Sequence, residues 1–248
     1  MTASIDINNP EHPKRVLMVA ANPSTSTQTG WPVGFWWAEL THPYWEFTEH
    51  GYQVDIASPD GGTLIADGFS DPEDESGYSA HDLISLGFKH SPQHAALLDD
   101  TPKLADLELG GYDALFLVGG QSPMYTFRNN PDVETAVRRF FEAGKPTAIV
   151  CHATSLLLDA TTSAGERIVT GKTWTGFADA EEAFADNFVG QKIQPYWIED
   201  EAKKLPDTNF VVNTMFKPFA VRDGNLITGQ QQYSGAAAAR LVIETLGV

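Results

Sequence analysis

Thr147-Ala148-Ile149-Val150-Cys151-His152-Ala153-Thr154-Ser155-Leu156-Leu157-Leu158 decides how this chain is read. An apolar, β-branched run stops at Cys151, and a run of small residues and leucines that predicts a helix starts at once. A buried strand feeding directly into a helix is the unit of a parallel α/β sheet. The same turn is the architecture of a nucleophile elbow, which lifts a reactive side chain out of the sheet. Cys151 is the only cysteine. At a helix N-terminus, free backbone N–H groups and partial positive charge favour the thiolate, the reactive form. Inert packing is the competing reading, because free cysteine is among the most buried residue types. His152 beside it and the glycines upstream favour a nucleophile.

The rest of the chain repeats this alternation. Residues 15–21 form a continuous apolar run, as expected of a central parallel strand covered on both faces. Residues 22–32 predict a loop, 34–50 an aromatic-rich helix stopped by Gly51, and 53–58 a second strand. Residues 63–100 break the pattern with clustered acids, glycines and histidines. They predict an insertion with short helices at 80–86 and 92–98, either a lid or a solvated appendage. The pattern resumes with a strand at 114–118, a helix at 131–143 and the strand ending at Val150. A helix over 151–159, a strand at 166–170 and helices at 179–188 and 197–204 follow. Next come strands at 210–213 and 219–221, a hairpin over 221–227 and a closing helix at 234–246 with Ser234 as N-cap. The expectation is one doubly wound, flavodoxin-like α/β domain over residues 1–248, mostly parallel and flanked by helices.

Composition bounds the partners. The net charge of −17 argues against nucleic acid and anionic membranes, both of which need positive patches. A hydrophobic content of 42% suffices for a substantial core. One cysteine allows no internal disulfide. Residues 1–14 lack the apolar stretch of a signal peptide, and no run is long enough to span a bilayer. A cytoplasmic protein acting on a small molecule is expected.

Three places could carry chemistry. Cys151 and His152 lie where open α/β sheets form their sites, outside the carboxyl end of a strand. Gly119 and Gly120 end another strand, and glycine lets the backbone approach a ligand and offer its N–H groups to an oxyanion. Glu39 stands among tryptophans and leucines. If it faces inward, burial raises its pKa and makes it a proton donor; the commoner fate of a helical glutamate is the solvated face.

Several stretches together resemble the ThiJ/PfpI superfamily, with its class I glutamine amidotransferase-like fold. They are Glu39-Leu40-Thr41-His42-Pro43-Tyr44, Val118-Gly119-Gly120, Ala148-Ile149-Val150-Cys151-His152, Gly171 to Phe177 followed by Glu181-Glu182, and Asp223 to Gln230. The likeness runs from Arg15 to the C-terminus and is nearest the branch of small heat-shock chaperones and cofactor-independent glyoxalases. The resemblance implies Cys151 as nucleophile, His152 as its partner and Glu182 as the orienting carboxylate, with Asp179 and Glu181 as alternatives. It implies that Glu39 bonds the sulfur and moves protons, and that the N–H groups of Gly120 and His152 form the oxyanion hole. It implies no metal and no cofactor, and a homodimer is frequent in the family. The chain departs from the glyoxalase pattern at Gln121-Ser122, at Ala153 and at Gly229-Gln230-Gln231-Gln232. Gln121 can hydrogen-bond but cannot exchange a proton near neutral pH.

Three activities stay open. The first is conversion of a 2-oxoaldehyde to a 2-hydroxy acid. The second is cysteine hydrolase, amidase or hydratase chemistry on another small substrate, motivated by Gln121 and the tryptophan-rich segment 31–45. The third is a redox sensor or chaperone, because a carboxyl-flanked thiolate also suits oxidation.

Overall fold

The computed structural model describes residues 11–247. The part of the N-terminal expectation that concerns residues 1–10 lies outside the described residues. The chain runs through β1 (Arg15–Val19), a small hairpin of β2 (Ser24–Thr25) and β3 (Pro32–Val33), α1 (Trp37–Glu49) and β4 (Gln53–Ala57). The excursion beyond β4 carries α2 (Leu83–His90) and α3 (Pro92–Ala95). Then come β5 (Ala114–Leu117), α4 (Pro123–Thr126), α5 (Pro131–Glu142) and β6 (Thr147–Val150). A 3₁₀ segment, Cys151–Leu158, leads to β7 (Thr173–Trp174), α6 (Asp179–Val189), α7 (Ile198–Ala202) and β8 (Asn209–Phe210). β9 (Ala220–Asp223), β10 (Leu226–Gly229) and α8 (Gly235–Leu246) close the chain.

Six strands form the main sheet in the order β4-β1-β5-β6-β10-β9. All its pairings are parallel except β9 with β10, the hairpin read from Val221 to Ile227. The fold is the expected flavodoxin-like, doubly wound sheet. Its apolar runs are continuous because both faces are covered. Leu17, Val19, Leu115, Leu117 and Ile149 face one core with Val133, Val137 and Phe140 of α5. Their neighbours Val16, Met18, Phe116, Ala148 and Val150 face the other, with Leu40 and Phe47 of α1 and Val242 of α8. This is the period of 2 that a strand imposes. From β1 the chain first turns to β4 on one side and then returns to β5 on the other. The order therefore reverses between β1 and β5, and the crevice beyond their carboxyl ends is where ligands bind in such sheets.

Several boundaries differ from expectation. Residues 166–170 form turns with a single bridge from Arg167 to Thr161. Ile168 and Val169 are apolar because this turn packs into the core, not because it pairs. The strand expected at 210–213 shortens to β8, and Val212 is exposed. The helix expected at 80–86 starts later, where the Asp82 carboxylate accepts the Ser85 N–H at 3.1 Å. Ser234 sits at the N-cap of α8 without capping it. Its hydroxyl accepts instead from the Phe219 and Gln231 N–H groups, each at 3.2 Å. The loop over 22–32 contains the β2–β3 hairpin, and the short α4 was not foreseen. No helix among the described residues is long and apolar enough to cross a membrane.

Phe116 is fully buried in the second of the core's halves. Phe116→Ala should lower unfolding free energy by about 3–5 kcal/mol, the usual cost of an aromatic truncation in a core. Urea unfolding measures it.

Candidate active site

Cys151 sits at the tip of β6, 2% exposed, with φ of +55°. A non-glycine residue in this left-handed region costs on the order of 1–3 kcal/mol and persists only where its surroundings enforce it. The strand turns sharply here, as in a nucleophile elbow. The sulfur lies 3.3 Å from Nδ1 of His152, and His152 Nε2 lies 3.0 Å from Oε1 of Glu182. Phe177 stacks on the imidazole with centroids 4.2 Å apart and planes at 23°. The ring is thus held at both nitrogens and on one face.

Glu182 is delivered by the first turn of α6 and is buried. The other two acidic residues of that turn are engaged elsewhere. Glu181 Oε1 accepts from the Phe216 N–H at 2.8 Å and from Gln230 Nε2 at 3.0 Å. Asp179 pairs with Lys203 at 3.7 Å. Burial opposes charging His152, but the Glu182 carboxylate outweighs it and the imidazole pKa moves up. Burial raises Glu182, against the pull of His152.

Glu39, on the first turn of α1, faces inward and is fully buried. Neither carboxyl oxygen meets hydrogen-bond geometry with any group. Desolvation pushes its pKa up to about 8, only partly offset by Cys151, His152 and the Gly119 N–H. Burial therefore favours the protonated carboxyl beside the sulfur near neutral pH. Gly119 makes the space. A Cβ there would meet Glu39 Oε2 at 2.1 Å and the Cys151 Cβ at 2.7 Å. The Gly119 carbonyl accepts the Trp36 N–H at 3.0 Å and so pins the start of α1. Gly120 has φ of +115°, and a Cβ there would lie 2.6 Å from the Gly34 carbonyl oxygen.

The thiol does not behave as the strand-to-helix break suggests. Burial pushes the Cys151 pKa well up, and an ionised Glu39 pushes it further. The His152 and Gly120 N–H groups act in the opposite sense. The segment that follows is 3₁₀, with poorer hydrogen-bond alignment than an α-helix. Burial outweighs the helix-terminus effect, so the resting form favoured here is the thiol, with His152 Nδ1 beside it.

The structure brings Cys151, His152, Glu39, Glu182, Gly119 and Gly120 together at the carboxyl ends of β5 and β6 and the start of α1. Gln121 follows, with its side chain in the pocket and its buried Oε1 unpartnered. Of the tryptophans in segment 31–45, only Trp36 lines this pocket. Ala153 is fully buried in the core, so that departure from the glyoxalase pattern does not reshape the pocket. In the triple glutamine, Gln230 holds Glu181 at 3.0 Å and Gln231 Nε2 donates to the Lys217 carbonyl at 2.8 Å. Only Gln232 reaches the pocket, where its Nε2 donates to Tyr78 OH at 3.0 Å.

Sequence reasoning missed Asp67. It is 1% exposed and its two oxygens accept from Gly34 N at 2.9 Å and Gln121 N at 2.6 Å. Burial raises its pKa to about 7, against these two N–H groups. It also missed Gln194, which is 2% exposed, lines the pocket and has an unpartnered Oε1. Neither residue carries a local signal, since each gains its place only through tertiary packing. The excursion after β4 supplies Phe69 and Tyr78 to the pocket wall and is part of the site rather than an appendage.

The model of the DJ-1/PfpI family matches residues 34–245. The chain belongs to the DJ-1/PfpI family. Glyoxalase 3 of Candida albicans is 25% identical over 240 residues, covering 93% of this chain and 97% of that protein. The glutathione-independent glyoxalase HSP31 of Saccharomyces cerevisiae is 25% identical over 246 residues, covering 94% and 98%. The crystal structure of glyoxalase III from Candida albicans superposes with a TM-score of 0.77 at 24% identity, covering 95% of this chain and 98% of that one. That likeness supports the fold.

Two outcomes test the site. Gly119→Ala forces a methyl group into the Glu39 carboxyl, so unfolding free energy should fall by about 1–3 kcal/mol. The rate of Cys151 alkylation should change with it; mass spectrometry of iodoacetamide-treated protein reads this. In Glu39→Gln the raised carboxyl pKa is removed. Wild type loses stability between its unfolded value near 4.5 and about 8, because only the unfolded state releases the proton in that window. The stability of Glu39→Gln relative to wild type should therefore rise from pH 4.5 to pH 8 and then level off. Urea midpoints across that range check the sign.

Proposed function

We propose that this protein is a cysteine-dependent glyoxalase that converts a 2-oxoaldehyde to a 2-hydroxy acid with its own side chains. The observation that carries the reading is a fully buried carboxyl group, Glu39, beside the Cys–His–Glu chain. A hydrolase needs the nucleophile and the base; an isomerising enzyme also needs a group that removes a carbon-bound proton and returns it one atom away. The names of the full-length fungal relatives point to the same activity.

In this scheme His152 takes the Cys151 proton and Glu182 stabilises the imidazolium. The sulfur adds to the aldehyde carbon, and the N–H groups of Gly120 and His152 meet the developing oxyanion. Glu39 gives its proton to that oxygen, completing a hemithioacetal. The Glu39 carboxylate then removes the proton on the former aldehyde carbon, and His152 protonates the neighbouring oxygen to give an enediol. Return of the proton to the second carbon, with loss of the first hydroxyl proton to the protein, gives a 2-hydroxy thioester. Water cleaves the thioester, releasing the 2-hydroxy acid and the thiol. The aldehyde carbon is oxidised and the ketone carbon reduced, so one substrate and one water balance the reaction.

We also propose that residues 1–248 act as one catalytic domain in a cytoplasmic homodimer; sedimentation reads the oligomeric state. Purified protein given methylglyoxal should release lactate, and Cys151→Ala should release none above background. Glu39→Gln should lose about 10²–10⁴-fold in kcat, the contribution of a positioned acid–base group. Lactate formation equal in wild type and Cys151→Ala would remove the glyoxalase reading.

A further inference from the structure

The pocket wall beyond the reacting groups is aromatic. Tyr78 stands 6.1 Å edge-on to Trp36 and 6.1 Å from Phe188, ring centroid to centroid. Phe188 is stacked with Phe184 at 6.4 Å, and Phe184 meets Phe216 at 5.1 Å. All five rings line the cavity that contains Cys151 and His152. Phe184 and Phe188 are one helical turn apart on α6, the helix that also supplies Glu182, so they share a face. They are 42% and 57% exposed. Two large apolar rings left open to water at the mouth of a reactive pocket are unfavourable unless something covers them.

The chemistry of the lining says what covers them. No Lys or Arg lines this cavity among the described residues, and its one titratable cation, His152, lies at the reactive end, so a carboxylate or phosphate substituent at the aromatic end finds no counter-charge. The chain's net charge of −17 also repels such a group. The cavity measures about 80 Å³, several times the roughly 10–15 Å³ that one water needs. Two of its lining residues, Gln121 and Gln194, carry buried Oε1 atoms without partners. They suit the hydroxyl donors of an enediol. The site thus has a polar, reactive end and an apolar, aromatic end.

We propose that the preferred substrate is a 2-oxoaldehyde bearing an aryl or similarly bulky, uncharged apolar substituent, which lies against Phe184 and Phe188 while its aldehyde reaches Cys151. This rests on the glyoxalase reading above and specifies its substrate class. A methyl substituent offers far less apolar surface to cover the two rings. The reaction is unchanged, so phenylglyoxal and one water give mandelate as methylglyoxal and one water give lactate.

The test compares kcat/KM for phenylglyoxal and methylglyoxal on the full chain, by chromatographic assay of mandelate and lactate. Wild type should favour phenylglyoxal by about ten- to a hundredfold, the discrimination an apolar pocket gives for added apolar surface. Phe188→Ala should lower that ratio at least fivefold. A ratio taken within one preparation does not depend on the fraction of folded enzyme. Lactate formation with no preference for phenylglyoxal, or a ratio unmoved by Phe188→Ala and by Phe184→Ala, would overturn this inference alone. No 2-hydroxy acid from either substrate would overturn the glyoxalase reading and this one with it.

Discussion

The site depends on a carboxyl group held dry against a thiol. An ionised carboxylate without partners in a protein interior is costly, and the cheaper solution is to keep the proton. Glu39 takes that solution, and the backbone around it is arranged to allow it. Gly119 contributes no side chain, and its carbonyl fixes the first turn of α1, from which Glu39 projects. Pro43 lies inside that helix and removes the bond that would have occupied the Glu39 carbonyl. The sheet supplies the rigidity, since β1, β5 and β6 are adjacent and their carboxyl ends cannot separate without breaking the ladder. Glu39, Cys151 and the Gly120 turn are thereby fixed relative to one another by the sheet and the start of α1.

The two buried carboxyl groups near the sulfur do different work. Glu182 faces a ring nitrogen and favours positive charge there, whereas Glu39 faces the sulfur without a cationic partner of its own. Identical chemistry placed in two surroundings gives one group that stabilises an imidazolium and one that retains a proton. In the scheme proposed above, the first orients and charges His152 and the second moves protons at the sulfur.

Much of this was legible in the sequence because it is local. Apolar runs such as Val16 to Ala21 and Ala114 to Val118 mark strands covered on both faces, and the abrupt change at Cys151 marks the elbow. Strand ends carry the site in this architecture, so reading the strands located Cys151, Gly119 and Gly120 at once. The family resemblance then singled out Glu39 and Glu182, and the fold brings both to the cysteine. What escaped was decided by tertiary packing. Ile168 and Val169 read as a strand because burial and pairing leave the same apolar mark in a short segment. Ser234 read as a cap, yet its hydroxyl serves two neighbouring backbone groups. The expectation of a ready thiolate rested on a helix terminus and omitted the larger cost of burying the charge.

Asp67 gives the excursion after β4 a different standing from that of an ordinary surface loop. Its carboxylate clamps the backbone on both sides of the crevice, at Gly34 and at Gln121, from a segment that the sheet itself does not require. Loops of this kind are usually regarded as exchangeable parts, which can be shortened or transplanted without touching the chemistry. Here a transplant that leaves Asp67 behind unfastens the turn after β5, and one that carries it must also match the spacing of two distant amides. Loop and scaffold are therefore coupled through one carboxylate, and the loop cannot be exchanged as an independent part.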